Sequence, residues 1–71
     1  MESKDNLVYD LIFSDRADFK IDIADYITDI YNYEEFVSDI KSILKKSKVK
    51  IIHSKVKLDS KTAMWDLKVT K

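Results

Sequence analysis

The clearest pattern of apolar and polar positions lies in the middle of the chain, and it predicts a helix. Apolar residues recur there at helical spacing, at Phe36, Val37, Ile40, Ile43 and Leu44. Such spacing is typical of a helix that buries one stripe. Asn32 precedes the stripe, and Glu35 lies three residues after Asn32. This Asn-x-x-Glu pattern is the sequence signature of a capped helix start. Lysines crowd the far end, where they favour the helix dipole.

The last third of the chain predicts two strands joined by a short turn. Residues 49–58 and 62–70 alternate apolar and polar positions, and residues 59–61 are polar enough to turn. The register that brings the apolar side chains to one face pairs Leu58 with Ala63, Val56 with Trp65, Ser54 with Leu67 and Ile52 with Val69. This register is self-consistent, since a one-residue slip would move the apolar set to the other face.

The first third of the chain is ambiguous between strand and helix. Residues 7–13 place Leu7, Tyr9, Leu11 and Phe13 on one face as a strand, but Leu7, Val8, Leu11 and Ile12 also fit a helix. Residues 19–23 alternate cleanly, so we favour a hairpin between the two segments. The pattern of residues 24–31 predicts one or two helical turns.

The expected fold is α+β: residues 1–71 form one domain, with an antiparallel sheet in the order β-β-α-β-β and one main helix on one face.

The absence of glycine, proline and cysteine narrows the possible chemistry. Phosphate-binding loops, dinucleotide fingerprints and nucleophile elbows need glycine. Turns that require a positive φ must therefore use Asp, Asn, Ser or Lys. Without cysteine there is no disulfide framework. The N-terminus lacks a secretory signal pattern and no apolar run is long enough to span a membrane. We expect a cytoplasmic protein that does not associate with membranes.

Charge is strongly segregated along the chain, although the total is zero. Residues 1–40 hold eleven acids and three bases, a net charge of −8, whereas residues 41–71 hold ten lysines and two acids, a net charge of +8. Segregation of this kind points to charged partners. Attraction between the two halves inside one fold, with most charges solvated, is the simpler explanation, because exposed charge is common and exposed pairs contribute little.

The sequence offers little equipment for catalysis. His53 is the single histidine, and it lies in a predicted strand, so nucleophilic catalysis would have to use it. Asp22, Asp25 and Asp29 could gather hard oxygen ligands on one turn, but solvated carboxylates on a helix face are more common. We expect no enzyme, no cofactor and no metal site.

Protein binding is the function that we favour. Carboxylates interleaved with tyrosines suit a basic partner, because tyrosine supplies contact area and the acids supply complementary charge. The alternative is that one or two of these tyrosines belong to the core and that the acids only provide caps and solubility. The candidate acidic face comprises Asp22, Asp25, Tyr26, Asp29, Tyr33, Glu34, Glu35 and Asp39. We expect an inhibitor or regulator, of the size that phages and mobile elements encode, that mimics nucleic acid and engages a larger, basic, nucleic-acid-handling protein.

The sequence also allows two other binding partners, nucleic acid and a second copy of the chain. The lysine-rich hairpin could bind nucleic acid, although arginine is scarce and Trp65 belongs to the predicted core. The candidate residues for this alternative are Lys48, Lys50, Lys55, Lys57 and Lys68. A homodimer could also form if the acidic half of one copy met the basic half of another.

Overall fold

The computed structural model describes residues 2–71, which form a three-stranded antiparallel sheet with two helices on one face. The elements are α1 (Lys4–Phe13), β1 (Asp18–Asp22), the 3₁₀ turns Ile23–Asp25 and Ile30–Asn32, α2 (Tyr33–Lys46), β2 (Lys50–Leu58) and β3 (Ala63–Thr70). The strand order is β1-β3-β2. The fold is α+β, as the sequence predicts, but the element order is α-β-α-β-β rather than β-β-α-β-β.

The first element is a helix, so the predicted hairpin between residues 7–13 and 19–23 is wrong. Leu7 and Leu11, four residues apart, are buried, whereas Tyr9 and Phe13 are 64% and 67% exposed. A strand would have placed all four side chains on one face. β1 pairs with β3 instead, with Ile21 opposite Trp65. This pairing puts Ile21 and Trp65 on the same face of the sheet as Phe19 and Leu67, and all four side chains are buried there.

The core lies between the helices and the inner face of the sheet. Trp65, in the central strand, is fully buried, and the ring of Phe36 meets it edge-on with 6.3 Å between centroids. Its indole Nε1–H donates a hydrogen bond of 2.9 Å to Ser54 Oγ. The remaining fully or nearly fully buried side chains of the helices and β3 include Leu7, Leu11, Val37, Ile40, Leu44, Ala63, Leu67 and Val69. The predicted main helix is thus confirmed: four residues of its apolar stripe are buried in the core, and Ile43 is half-buried.

The predicted hairpin register is confirmed over most of its length. Leu58 lies opposite Ala63, Val56 opposite Trp65 and Ser54 opposite Leu67. Beyond these pairs a β-bulge shifts the register, so that Ile51, and not Ile52, lies opposite Val69. A bulge inserts one extra residue into one strand. That residue is Ile52, which is 63% exposed.

Short capped turns connect β1 to α2, as the sequence predicts for this bridge. Asp22 Oδ1 accepts a hydrogen bond from the amide of Ala24, and Asp29 Oδ1 accepts one from the amide of Tyr31. Asn32 occupies the N-cap position of α2, but its side chain makes no capping bond to the helix. The capping box expected from Asn32 and Glu35 is therefore not formed, and Asn32 Nδ2 donates to Asp29 Oδ2 instead.

The end of α2 shows how the chain turns without glycine. The amide of Val49 donates to the carbonyl of Leu44, and the amide of Lys48 donates to that of Lys45. These two bonds define a Schellman motif, whose C′ residue adopts the left-handed conformation. Lys48 fills that position with φ 63°, so the expectation that a non-glycine residue serves at a positive φ is confirmed here.

Replacing Lys48 with glycine should stabilise the protein. A side chain in the left-handed region costs about 1 kcal/mol or more, and glycine removes that cost. We expect Lys48→Gly to raise the free energy of unfolding by about 1 kcal/mol in urea denaturation. Lys41→Gly, at an exposed position inside α2, is the control and should lower it by about 1 kcal/mol. Destabilisation by both substitutions would contradict the assignment.

Removing the hydroxyl partner of Trp65 should weaken the core. Ser54→Ala leaves the buried indole N–H without its acceptor, which costs about 1 to 3 kcal/mol. Urea unfolding followed by the fluorescence of the single tryptophan measures the change. Ser42→Ala, at an exposed position of α2, should leave the free energy of unfolding nearly unchanged, and equal effects of both variants would argue against the bond.

Candidate functional site

Part of the candidate acidic face lines one groove beside α2, which we call the acidic groove. Its volume is about 550 Å³. The residues that line it are Lys4, Tyr26, Ile27, Thr28, Asp29, Asn32, Glu35, Phe36 and Asp39. Three carboxylates thus surround an aromatic and aliphatic floor, with one lysine among them.

The carboxylates of the acidic groove are positioned by local structure. Glu35 and Asp39 are exposed and lie one turn apart on α2, because residues i and i+4 share a helix face. The carboxylate of Asp29 is oriented by its bond to the amide of Tyr31. Lys4 Nζ lies 4.0 Å from Asp39 Oδ2, with both side chains about half exposed. Such a surface pair contributes little and leaves Asp39 open to another cation.

Tyr26 contributes an aromatic ring to the floor of the acidic groove. Its ring stacks on Phe36, with 5.7 Å between centroids and 26° between planes. Burial raises the pKa of its phenol, and the neighbouring carboxylates of Glu2, Asp25 and Asp10 raise the pKa further. The phenol therefore stays neutral at physiological pH and can donate a hydrogen bond.

Two acids near Tyr26 lie outside the set predicted from the sequence. Glu2 is brought there because its amide donates a 2.6 Å hydrogen bond to the carbonyl of Asp25. Asp10 lies on α1, in a segment for which the sequence analysis favoured a strand. Their membership of the acidic half of the chain was the only signal that could have found them.

The structure separates the other predicted acidic-face residues from the groove. Tyr33 and Glu34 line a different groove, on another side of α2, together with Lys41 and Lys45. Asp22 is half-buried and caps a 3₁₀ turn, which gives it a structural role. Of the eight predicted residues, those that line the acidic groove are Tyr26, Asp29, Glu35 and Asp39, with Asp25 beside Tyr26.

The predicted basic residues also divide into two groups. Lys48 and Lys50 lie at the end of α2 and the start of β2, where Lys41 and Lys45 line the same groove. The others occupy the sheet face that the helices leave uncovered. There Lys55 lies opposite Asp66, Lys57 opposite Met64, and Lys68 between Asp18 and His53.

In the described part of the chain, His53 makes one contact with a carboxylate. It is exposed, and its Nε2 lies 3.7 Å from Asp66 Oδ2. The adjacent Ser54 points to the inner face, where its hydroxyl accepts a hydrogen bond from Trp65.

Among residues 2–71 no three His, Cys, Asp or Glu side chains gather closely enough to hold a metal ion. Within that same range, the helices are too short or too polar to cross a bilayer.

Comparison with known proteins adds no relative. No protein-family model matches the chain, and no curated protein or solved structure is significantly similar to it. The grooves and charged surfaces described above are therefore the observations from which we argue function.

Titration of the tyrosines should reveal the environment of Tyr26. Because the fold raises the pKa of Tyr26 above 10.0, the unfolded chain loses this proton first as the pH rises. The stability linked to Tyr26 is thus complete below pH 10 and is lost as the pH passes through the raised pKa. Ultraviolet absorbance titration should show one late-titrating tyrosine that Tyr26→Phe removes. A late step that persists in Tyr26→Phe would contradict this assignment.

Proposed function

We propose that this chain is a non-enzymatic binding protein that engages a partner's basic surface through the acidic groove. The observation that carries the proposal is the gathering of Asp29, Glu35 and Asp39 around the floor formed by Tyr26 and Phe36. These carboxylates are separated in sequence by up to ten positions, and the two capped turns and α2 bring them to one groove.

The composition of the acidic groove suits lysine and arginine side chains. Such side chains have an apolar stem and a charged tip, so they fit a site that combines an apolar floor with carboxylates. An arginine can bind a carboxylate through two hydrogen bonds. The half-buried ring of Tyr26 offers a contact surface, and its stacking on the buried ring of Phe36 holds it rigid.

A protein that handles nucleic acid is the partner class that we propose. Such a protein carries a basic surface where it contacts phosphates. Carboxylates held on a rigid surface compete for the same lysines and arginines, so binding would inhibit or regulate the partner. Complementary charge would also speed the encounter, since opposite potentials steer association.

The distribution of lysines supports placing nucleic acid second among the ligands. On the uncovered sheet face, Lys55 and Lys68 are interleaved with Asp66 and Asp18. Carboxylates at these positions repel a phosphate backbone. Trp65, the residue best suited to base stacking, is fully buried.

Charge reversal in the acidic groove tests the proposal. The test variant is Glu35→Lys/Asp39→Lys, which changes two residues that line the acidic groove. The control is Glu34→Lys/Asp15→Lys, which changes two residues outside it. The two variants change the net charge equally, and both Glu34 and Glu35 lie in the first turn of α2. Each immobilised protein is incubated with lysate of the source organism, with and without nuclease treatment, and the bound proteins are identified by mass spectrometry.

The expected result is one dominant partner that the wild type and the control retain equally. Glu35→Lys/Asp39→Lys should weaken its affinity roughly tenfold or more, since reversed charges at a complementary surface cost over about 1.4 kcal/mol. Equal retention by all three proteins would reject the acidic groove. Loss of every bound protein after nuclease treatment would favour nucleic acid.

A further inference from the structure

β2 is an edge strand whose outer side has no partner within the described residues. The order β1-β3-β2 leaves one side of its nine residues unpaired. No residue of β2 is fully buried, whereas every second residue of β3 is buried or nearly so. On the inner face Ile51 and Val56 are half-buried and Leu58 is 45% exposed. The helices therefore leave the apolar side of this edge incompletely covered.

A groove runs between α2 and the start of β2. Its volume is about 450 Å³, and it is lined by Lys41 and Lys45 from α2, Lys48 and Val49 from the connection, and Lys50 and Ile51 from β2. Four lysines thus surround an apolar floor, and no acidic residue belongs to the lining. We call this the lysine groove.

We propose that an extended, acidic segment of a partner protein adds to β2 as a fourth strand. A free strand edge presents unpaired N–H and C=O groups that a peptide backbone can pair. Side chains of an added strand alternate between the two faces. Apolar side chains on one face would cover Ile51, Val56 and Leu58 and enter the lysine groove. Carboxylates on the other face would meet the lysines of β2.

The charges of β2 select the occupant. Lys50, Lys55 and Lys57 are exposed along the edge strand. A second copy of β2 would bring these lysines against their own equivalents, and like charges on paired strands destabilise the pairing. Edge lysines and the bulge at Ile52 also deter neutral strands. An acidic strand is the one kind that the same lysines attract.

The apolar part of this surface favours a polypeptide over nucleic acid. A phosphate backbone would contact the lysines but would leave Ile51, Val56 and Leu58 uncovered. Bases could cover apolar surface by stacking, yet no aromatic residue lines the lysine groove.

This inference is independent of the proposed function, because the lysine groove and the acidic groove share no lining residue. Charge reversal at Glu35 and Asp39 should leave binding at β2 intact. Failure of one proposal therefore does not imply failure of the other.

Fluorescein-labelled peptides of defined charge test the proposal by fluorescence anisotropy at low salt. The probe is an acetylated peptide of four Glu-Val repeats. The comparison ligands are four Glu-Ser repeats, which keep the charge without the apolar side chains, four Lys-Val repeats, and an oligothymidylate of similar length. The test variant is Lys50→Glu/Lys55→Glu and the control is Lys61→Glu/Lys68→Glu. The two are matched, since Lys55 faces Asp66 and Lys68 faces Asp18 across the sheet.

We expect the Glu-Val peptide to bind the wild type and the control with affinities within about twofold of each other. The test variant should bind it roughly tenfold more weakly or worse. Amide chemical shift changes should concentrate in residues 50–58. Absence of binding by the Glu-Val peptide, or equal binding by the Glu-Ser peptide, would overturn the proposal. Preferential binding of the oligothymidylate would overturn it in favour of a nucleic-acid surface.

Discussion

The burial of Trp65 in the central strand is the interaction on which the rest of the structure depends. Phe36 of α2 contacts its ring edge-on, and Ser54 of β2 accepts its indole hydrogen bond. Ile21 of β1 lies opposite it on the other neighbouring strand. One side chain therefore ties α2 to all three strands on the same face. The opposite face of the sheet is uncovered, and the charged residues of the strands lie there or at the edge.

The sequence predicted the elements whose signals are local. The α2 stripe and the pairing of Val56 with Trp65 follow from periodicity within short segments, and both are present. The pairing of β1 with β3 joins residues more than forty positions apart, and periodicity carries no information about such partners. Leu7 and Leu11 satisfy the spacing of a strand and of a helix alike, so only their burial against the rest of the core decides between the two.

Only part of each candidate site was predicted from the sequence. The reason is that the order of charges along a chain does not determine which of them share a surface. Glu34 and Glu35 are neighbours in sequence, yet the helix turns about 100° per residue and directs them to different grooves. Lys50 and Lys55 belong to one strand, but only Lys50 lines the lysine groove. The acids of the acidic groove come from the −8 half of the chain and the lysines of the lysine groove from the +8 half, and α2 contributes acids to one groove and lysines to the other.

Native-state hydrogen exchange of the free chain, followed by NMR, tests the central claim that β3 is the enclosed strand and β2 the open edge. Amides of residues 64–69 should exchange slowly, because both neighbouring segments pair with them. Along residues 53–58 slow and fast amides should alternate, since every second one faces away from β3. Uniformly slow exchange throughout residues 53–58 would contradict the account, because it would show that the edge is already covered.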